Sequence, residues 1–87
     1  RDSHKPLVLH NTGFNLSILK AKKGFIENLT FNKPTVLFSQ KGNWKITIEE
    51  KVFNIYSKDT FSIPLDKKIT ISVDNNEDCF LNCVSKA

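Results

Sequence analysis

From Phe14 to Val84 the apolar residues fall at every second position in short runs, and turn-forming residues interrupt those runs every few positions. Phe14, Leu16 and Ile18 alternate with Asn15, Ser17 and Leu19. Trp44, Ile46 and Ile48 alternate with Lys45, Thr47 and Glu49, and Ile69, Ile71 and Val73 repeat the pattern. A period of two places alternate side chains on opposite faces of an extended strand, whereas a helix needs apolar residues three and four apart. No stretch after His10 shows the helical spacing, so the chain is expected to be all-β.

The interruptions divide the chain. Lys22-Lys23-Gly24 ends the first clear strand, and Glu27 to Phe31 is a short edge strand closed by Asn32-Lys33-Pro34, since proline cannot donate to a ladder. Thr35 to Gln40 runs to Lys41-Gly42, and residues 43–56 read as one hairpin turning at Glu49-Glu50-Lys51. Phe53 and Ile55 face inward on its return strand. After Ser57-Lys58-Asp59, Phe61 and Ile63 carry the alternation to Pro64; Ile69 to Val73 and Cys79 to Val84 flank the acidic turn Asp74 to Asp78. About eight short antiparallel strands at this spacing describe a β-sandwich or barrel. Residues 1–87 are expected to form a single domain, with 1–12 an N-terminal arm or first strand.

At 87 residues such a domain has little margin, because small folds bury a small share of their surface, and association is a natural source of further stability. Charge is unevenly spread. Seven basic residues against Asp2 and Glu27 give residues 1–44 a net +5, while six lysines against seven acids leave residues 45–87 at −1. A basic surface attracts nucleic acid, but the first half lacks Arg clusters and interleaved exposed aromatics, so a solvated Lys-rich face is preferred to direct DNA binding. No apolar run approaches the ~20 residues of a membrane span. Cys79 and Cys83 lie four apart on one strand, about 13 Å between Cα atoms at ~3.3 Å per residue, too far to bond to each other. The triplets Asn15-Leu16-Ser17 and Asn28-Leu29-Thr30 match the N-glycosylation pattern but arise by chance in Asn-rich sequence and carry little weight.

The stretch Val36 to Val84 resembles the second half of a cupin, a jelly-roll barrel. Within that superfamily it is most similar to the C-terminal cupin domain of centromere protein C. The match rests on Gly42, Ile46-Thr47-Ile48, Phe53, Ser57-Lys58, Phe61-Ser62-Ile63-Pro64, Ile69-Thr70-Ile71, Asn75-Asn76-Glu77 and the last apolar strand. It departs where the family often has glycine, at Lys58 or Asp59, and in the loop Leu65-Asp66-Lys67, where the family carries Gly or Asn and an aromatic. The next resemblance is to the metal-free C-terminal cupin of type I mannose-6-phosphate isomerase. The first implies a homodimerising module of a kinetochore scaffold in the nucleus, at the centromere, whose partners are centromeric chromatin or histone-chaperone and kinetochore proteins; the second implies a non-catalytic enzyme tail.

The residues give no chemistry to set against this. Catalytic cupins converge histidines and a carboxylate on a metal inside the barrel. Here the only histidines are His4 and His10, before the first clear strand, and the corresponding inner strands carry Glu27, Asn28, Val36 and Ile71. Glu77 and Asp78 would raise a thiol pKa at Cys79 rather than lower it, and Glu49 and Glu50 are adjacent in a turn and point apart. Trp44 and Phe53 could line a barrel that takes a small ligand or sugar, though a barrel filled by Phe and Ile leaves little room. No catalytic residue, cofactor or metal is therefore expected. What stands out is strands apolar on both faces: Val36 and Phe38 point away from Leu37, and Leu16 and Ile18 away from Leu19. Such a face calls for a cover, either a second copy or Leu7-Val8-Leu9 folded back over it. The expected dimer interface is Phe14, Leu16, Ile18, Val36 and Phe38.

Overall fold

The computed structural model describes the backbone of residues 4–9 and the whole of residues 13–86. They form nine antiparallel strands: β1 His4–Leu9, β2 Phe14–Ala21, β3 Ile26–Thr30, β4 Thr35–Lys41, β5 Trp44–Ile48, β6 Lys51–Ile55, β7 Thr60–Ile63, β8 Lys68–Ser72 and β9 Cys79–Lys86. The described residues contain no helix. The eight strands β2 to β9 fall within a few residues of the alternating runs, and β1 lies in the N-terminal twelve.

Two sheets carry the strand orders β1-β2-β9-β4-β7 and β3-β8-β5-β6. Only the β1–β2 and β5–β6 connections stay within one sheet; every other connection crosses to the opposite sheet. That is the topology of a jelly roll, and it explains why the sequence shows many short strands and few hairpins. β9 is the middle strand of the five-stranded sheet, paired along its length with β2 and β4.

The inward positions of both sheets meet in one core. Leu19, Ala21, Leu37, Cys79, Leu81 and Cys83 come from the first sheet, and Trp44, Ile46, Ile48, Ile55, Ile69 and Ile71 from the second. Trp44 is fully buried, meets the Phe25 ring edge-to-face at 6.3 Å and directs its Nε1–H to the Lys41 carbonyl at 3.4 Å. The two hydroxyls buried in this core are satisfied locally: Thr35 Oγ1 donates to the Lys33 carbonyl at 2.9 Å and Ser39 Oγ to that of Gly42 at 2.6 Å. Burying them therefore costs little.

β4 ends in a bulge, where the pairing with β9 steps from Ser39–Leu81 to Lys41–Phe80. The chain then turns through Gly42, whose φ of +93° suits only glycine, and a Cβ there would collide with Cys79 Sγ. Ser57 Oγ holds the Gly42 N–H at 2.9 Å. Lys58 and Asp66, at two of the places where the sequence departs from the centromere protein C pattern, both adopt positive φ, of 76° and 57°.

Candidate interaction surface

The two sheets differ in how apolar residues are spread over their outer faces. On the four-stranded sheet the outward positions of the inner strands β8 and β5 are Lys68, Thr70, Ser72, Lys45 and Thr47, with Asn28 and Thr30 of β3 and Asn54 of β6 beside them; Thr70 Oγ1 donates to Asn28 Oδ1 at 2.7 Å, and the apolar outward residues, Ile26 at 68% and Val52 at 56% exposed, stand on the edge strands β3 and β6. On the five-stranded sheet the outward positions are Phe14, Leu16, Ile18 and Lys20 of β2, Phe80, Asn82, Val84 and Lys86 of β9, Val36, Phe38 and Lys41 of β4, and Thr60 and Ser62 of β7.

The register sets these side chains in rows. Leu16, Val84 and Val36 stand directly across from one another, and so do Ile18, Asn82 and Phe38 in the next row. Lys20, Phe80 and Lys41 make the row at one end, and Phe14 lies opposite Lys86 at the other. Three of the apolar side chains remain well exposed: Phe14 at 46%, Val36 at 41% and Ile18 at 37%. Leu16, Phe38, Phe80 and Val84 are half-buried, which is as far as neighbours in a single sheet can cover them. All five residues expected at an interface thus share one face.

The fold-back of Leu7-Val8-Leu9 over this face does not occur. Residues His4 to Leu9 pair with β2 edge to edge, Leu7 opposite Leu16 and Leu9 opposite Phe14, and so widen the sheet instead of covering it. Pro6 stands on this edge strand, where a missing ladder donor does least harm.

At the centre of the face stands a residue that the alternation did not single out. Asn82 is half-buried and its Oδ1 is fully covered, yet that oxygen accepts no hydrogen bond. A polar residue on the outward side of a strand reads as solvated; only the pairing with β2 and β4 puts it between Ile18 and Phe38.

The other candidate residues are structural. Cys79 and Cys83 are free and buried. Burial pushes the Cys79 thiol up; the Asn43 backbone hydrogen bond and the Lys41 charge oppose this, and Asp78 and Glu77 reinforce it. Burial is thus the leading cause, ahead of the acidic neighbours that the sequence pointed to. Cys83 is pushed up to about 12, by burial first and by the charge of Glu27 second. Both shifts disfavour the thiolate, the nucleophilic form of a cysteine. Trp44 has no free ring face for a sugar, and Phe53, though inward-pointing, is 38% exposed and packs on Phe61 with ring centroids 5.2 Å apart. Glu49 and Glu50 form the β5–β6 turn, with Glu49 held by Lys67 at 2.9 Å.

Among the described residues no group of three His, Cys, Asp or Glu side chains gathers as a metal site. The metal-ligating types that point inward from the described strands are Glu27, Cys79 and Cys83, and both thiols are pushed towards the protonated form. The side chain of His4, and His10, lie outside the described residues. No helix among the described residues is long and apolar enough to cross a membrane.

No protein-family model and no curated protein matches the sequence. Solved structures do match. A cupin 2 conserved barrel domain protein from Salinispora arenicola superposes with a TM-score of 0.84 at 11% identity, over 99% of this chain and 76% of that one. A cupin superfamily protein from Desulfitobacterium hafniense gives 0.83 at 13%, over 99% and 77%. The EutQ protein of Clostridium difficile gives 0.83 at 18%, over 98% and 67%. The fold is that of the cupins. At these identities the likeness extends to the fold alone.

Proposed function

We propose that this cupin domain is a non-enzymatic module that homodimerises through the outer face of its five-stranded sheet and holds partners on the surfaces left free. The observation that carries the reading is the contrast between the two sheets: the outer face of one is polar across its inner strands, with Ile26 and Val52 apart on its two edges, while the other presents Phe14, Leu16, Ile18, Val36 and Phe38 in adjoining rows with no described segment laid over them. Exposed apolar patches of this kind mark contact surfaces, and a second copy is the simplest self-complementary cover. The resemblance to the centromere protein C cupin supports the same reading and gives it a setting. There the dimer would tie two scaffold chains together in the nucleus, at the centromere, and present a surface to centromeric chromatin, histone-chaperone or kinetochore proteins.

The test is the mass of the domain by light scattering across a dilution series, for the wild type and for Phe38→Asp. A dimer that persists on dilution, and that the substitution weakens at least a hundredfold, is the expected result. Thr47→Asp, on the polar outer face of the other sheet, should leave association unchanged. A wild type that is monomeric at every concentration would remove the reading and favour the non-catalytic tail of a sugar-phosphate isomerase. An intact Phe38→Asp dimer would move the interface elsewhere.

A further inference from the structure

Among the described strands, β1 and β7 end one sheet and β3 and β6 end the other. Three of these edges are guarded. β1 carries Pro6, β7 is four residues long and runs into Pro64, and β3 turns the charge of Glu27 inward. Proline, shortness and an inward charge are devices by which edges avoid pairing with other chains. From Val52 to Ile55 the β6 edge has none of them: it carries no proline and no charge, and its register against β5 is unbroken. Its one lysine, Lys51, stands at the turn.

The hairpin fixes which groups this edge offers. Glu49 and Glu50 form a two-residue turn closed by Ile48 and Lys51, so Ile48–Lys51, Ile46–Phe53 and Trp44–Ile55 are the pairs that exchange backbone hydrogen bonds. The N–H and C=O of Val52 and Asn54 therefore point away from β5, to the open side. Tyr56 closes the stretch, because its N–H donates to Asp59 Oδ2 at 3.0 Å and its C=O accepts the Asp59 N–H at 2.9 Å. Around these free groups the side chains are apolar and uncovered, with Phe53 at 38% and Val52 at 56% exposed.

We infer that β6 takes up an extended segment of a partner protein as a fifth strand of its sheet, bonded through the main chain to Val52 and Asn54. The inference rests on the partner-holding half of the reading above and not on the dimer. Strand addition draws affinity from main-chain bonds and specificity from alternate side chains. On one side of the added strand they cover Phe53 and its contact with Phe61; on the other they lie beside Val52. A charged side chain at either place would lose water without gaining a partner, so the segment is uncharged, with apolar residues at every second position. A second copy offers only the same short edge. Five residues at ~3.3 Å each, across sheets about 10 Å apart, give roughly 170 Å², far below the ~800 Å² with which two folded bodies usually join.

The probe is a capped, fluorescein-labelled peptide in which threonine alternates with valine and isoleucine. Its binding is followed by anisotropy, and amide exchange in the domain by NMR. Saturable binding is expected to slow exchange at Val52 and Asn54 at least tenfold and to leave Phe53, already bonded to β5, unchanged. Asn54→Pro removes an outward donor only, and with folding checked by circular dichroism it should weaken binding at least tenfold without altering the mass by light scattering. Methylating alternate peptide nitrogens should abolish binding in one phase and spare it in the other. No binding, or binding indifferent to both methylation patterns, overturns strand addition. Slowing of the same two amides by protein concentration alone makes the occupant a second copy and overturns the partner. A dimeric wild type that ignores the peptide leaves the homodimer standing, and a monomeric wild type that binds it leaves strand addition standing.

Discussion

Cys83 shows how the core sets the pH range of the fold. Its thiol sits among Leu37, Leu81 and the residues of the opposite sheet, and burial raises its pKa to about 12 from an ordinary 9.0. A raised pKa means that the folded state binds the proton more tightly than the unfolded chain. The contribution is therefore complete below about pH 9 and is lost as the pH climbs from 9 towards 12. At about 1.4 kcal/mol per pKa unit the loss approaches roughly 4 kcal/mol at the upper end, much of the stability of a domain this small. Urea denaturation at pH 8, 9.5 and 11 is expected to show this fall, and Cys83→Ala, less stable at pH 8, should show a flatter dependence over the same range. Equal slopes for the two proteins would place the alkaline sensitivity in other groups. The core serines and threonines show no comparable sensitivity, because their hydroxyls are neutral and already bonded to nearby carbonyls.

At the scale of the strands, the β5–β6 hairpin turns on Glu49 and Glu50, both in the left-handed region with φ of 48° and 69°. Two consecutive positive φ angles describe the two-residue turn that fits the twist of a hairpin, and Asn-Gly is the pair that adopts it without strain. Each glutamate pays about 1 kcal/mol for its Cβ there. The ion pair of Glu49 with Lys67 is exposed and returns little of that. Glu49→Asn with Glu50→Gly should therefore raise stability by about 1–2 kcal/mol, seen as a melting temperature several degrees higher; a lower one would mean that the Lys67 contact outweighs the strain. This hairpin was legible because Trp44, Ile46, Ile48, Phe53 and Ile55 alternate against polar residues on both sides of a short turn. The identity of its neighbours was not, since alternation tells which face a residue takes but not which strand lies beside it. That is why Phe53, inward as expected, is still partly exposed: β6 is the last strand of its sheet, and Phe53 fills the gap towards Phe61 of β7. The departures at Lys58 and Asp66 have the same local character, left-handed turn positions filled by side chains where the resembled family often has Gly or Asn. The five outward apolar residues were legible from periodicity alone. Asn82 became visible only once β9 was seen between β2 and β4.

For the whole molecule, the placement of charge decides how association responds to salt. The apolar rows of the five-stranded sheet end in Lys20 and Lys41 beside Phe80 and in Lys86 beside Phe14, with Asp78 the acid that Lys20 reaches, at 3.6 Å. Stacking two such faces brings lysine-bearing rims together whichever direction the two-fold axis takes in the plane between them. Repulsion between solvent-exposed charges fades as the Debye length shortens from about 10 Å at 0.1 M salt to about 3 Å at 1 M, while the burial of apolar surface does not weaken. The dimer dissociation constant, from sedimentation equilibrium, is therefore expected to fall a few-fold between ~0.05 and ~0.5 M salt. Binding of DNA by the basic first half would respond in the opposite sense, losing affinity steeply over the same range as counterions compete for the phosphates. A dimer that itself dissociates as salt rises would show that the copies are joined through opposite charges, as the acids of residues 45–87 facing the lysines of residues 1–44 would provide, and not through the apolar rows around Asn82.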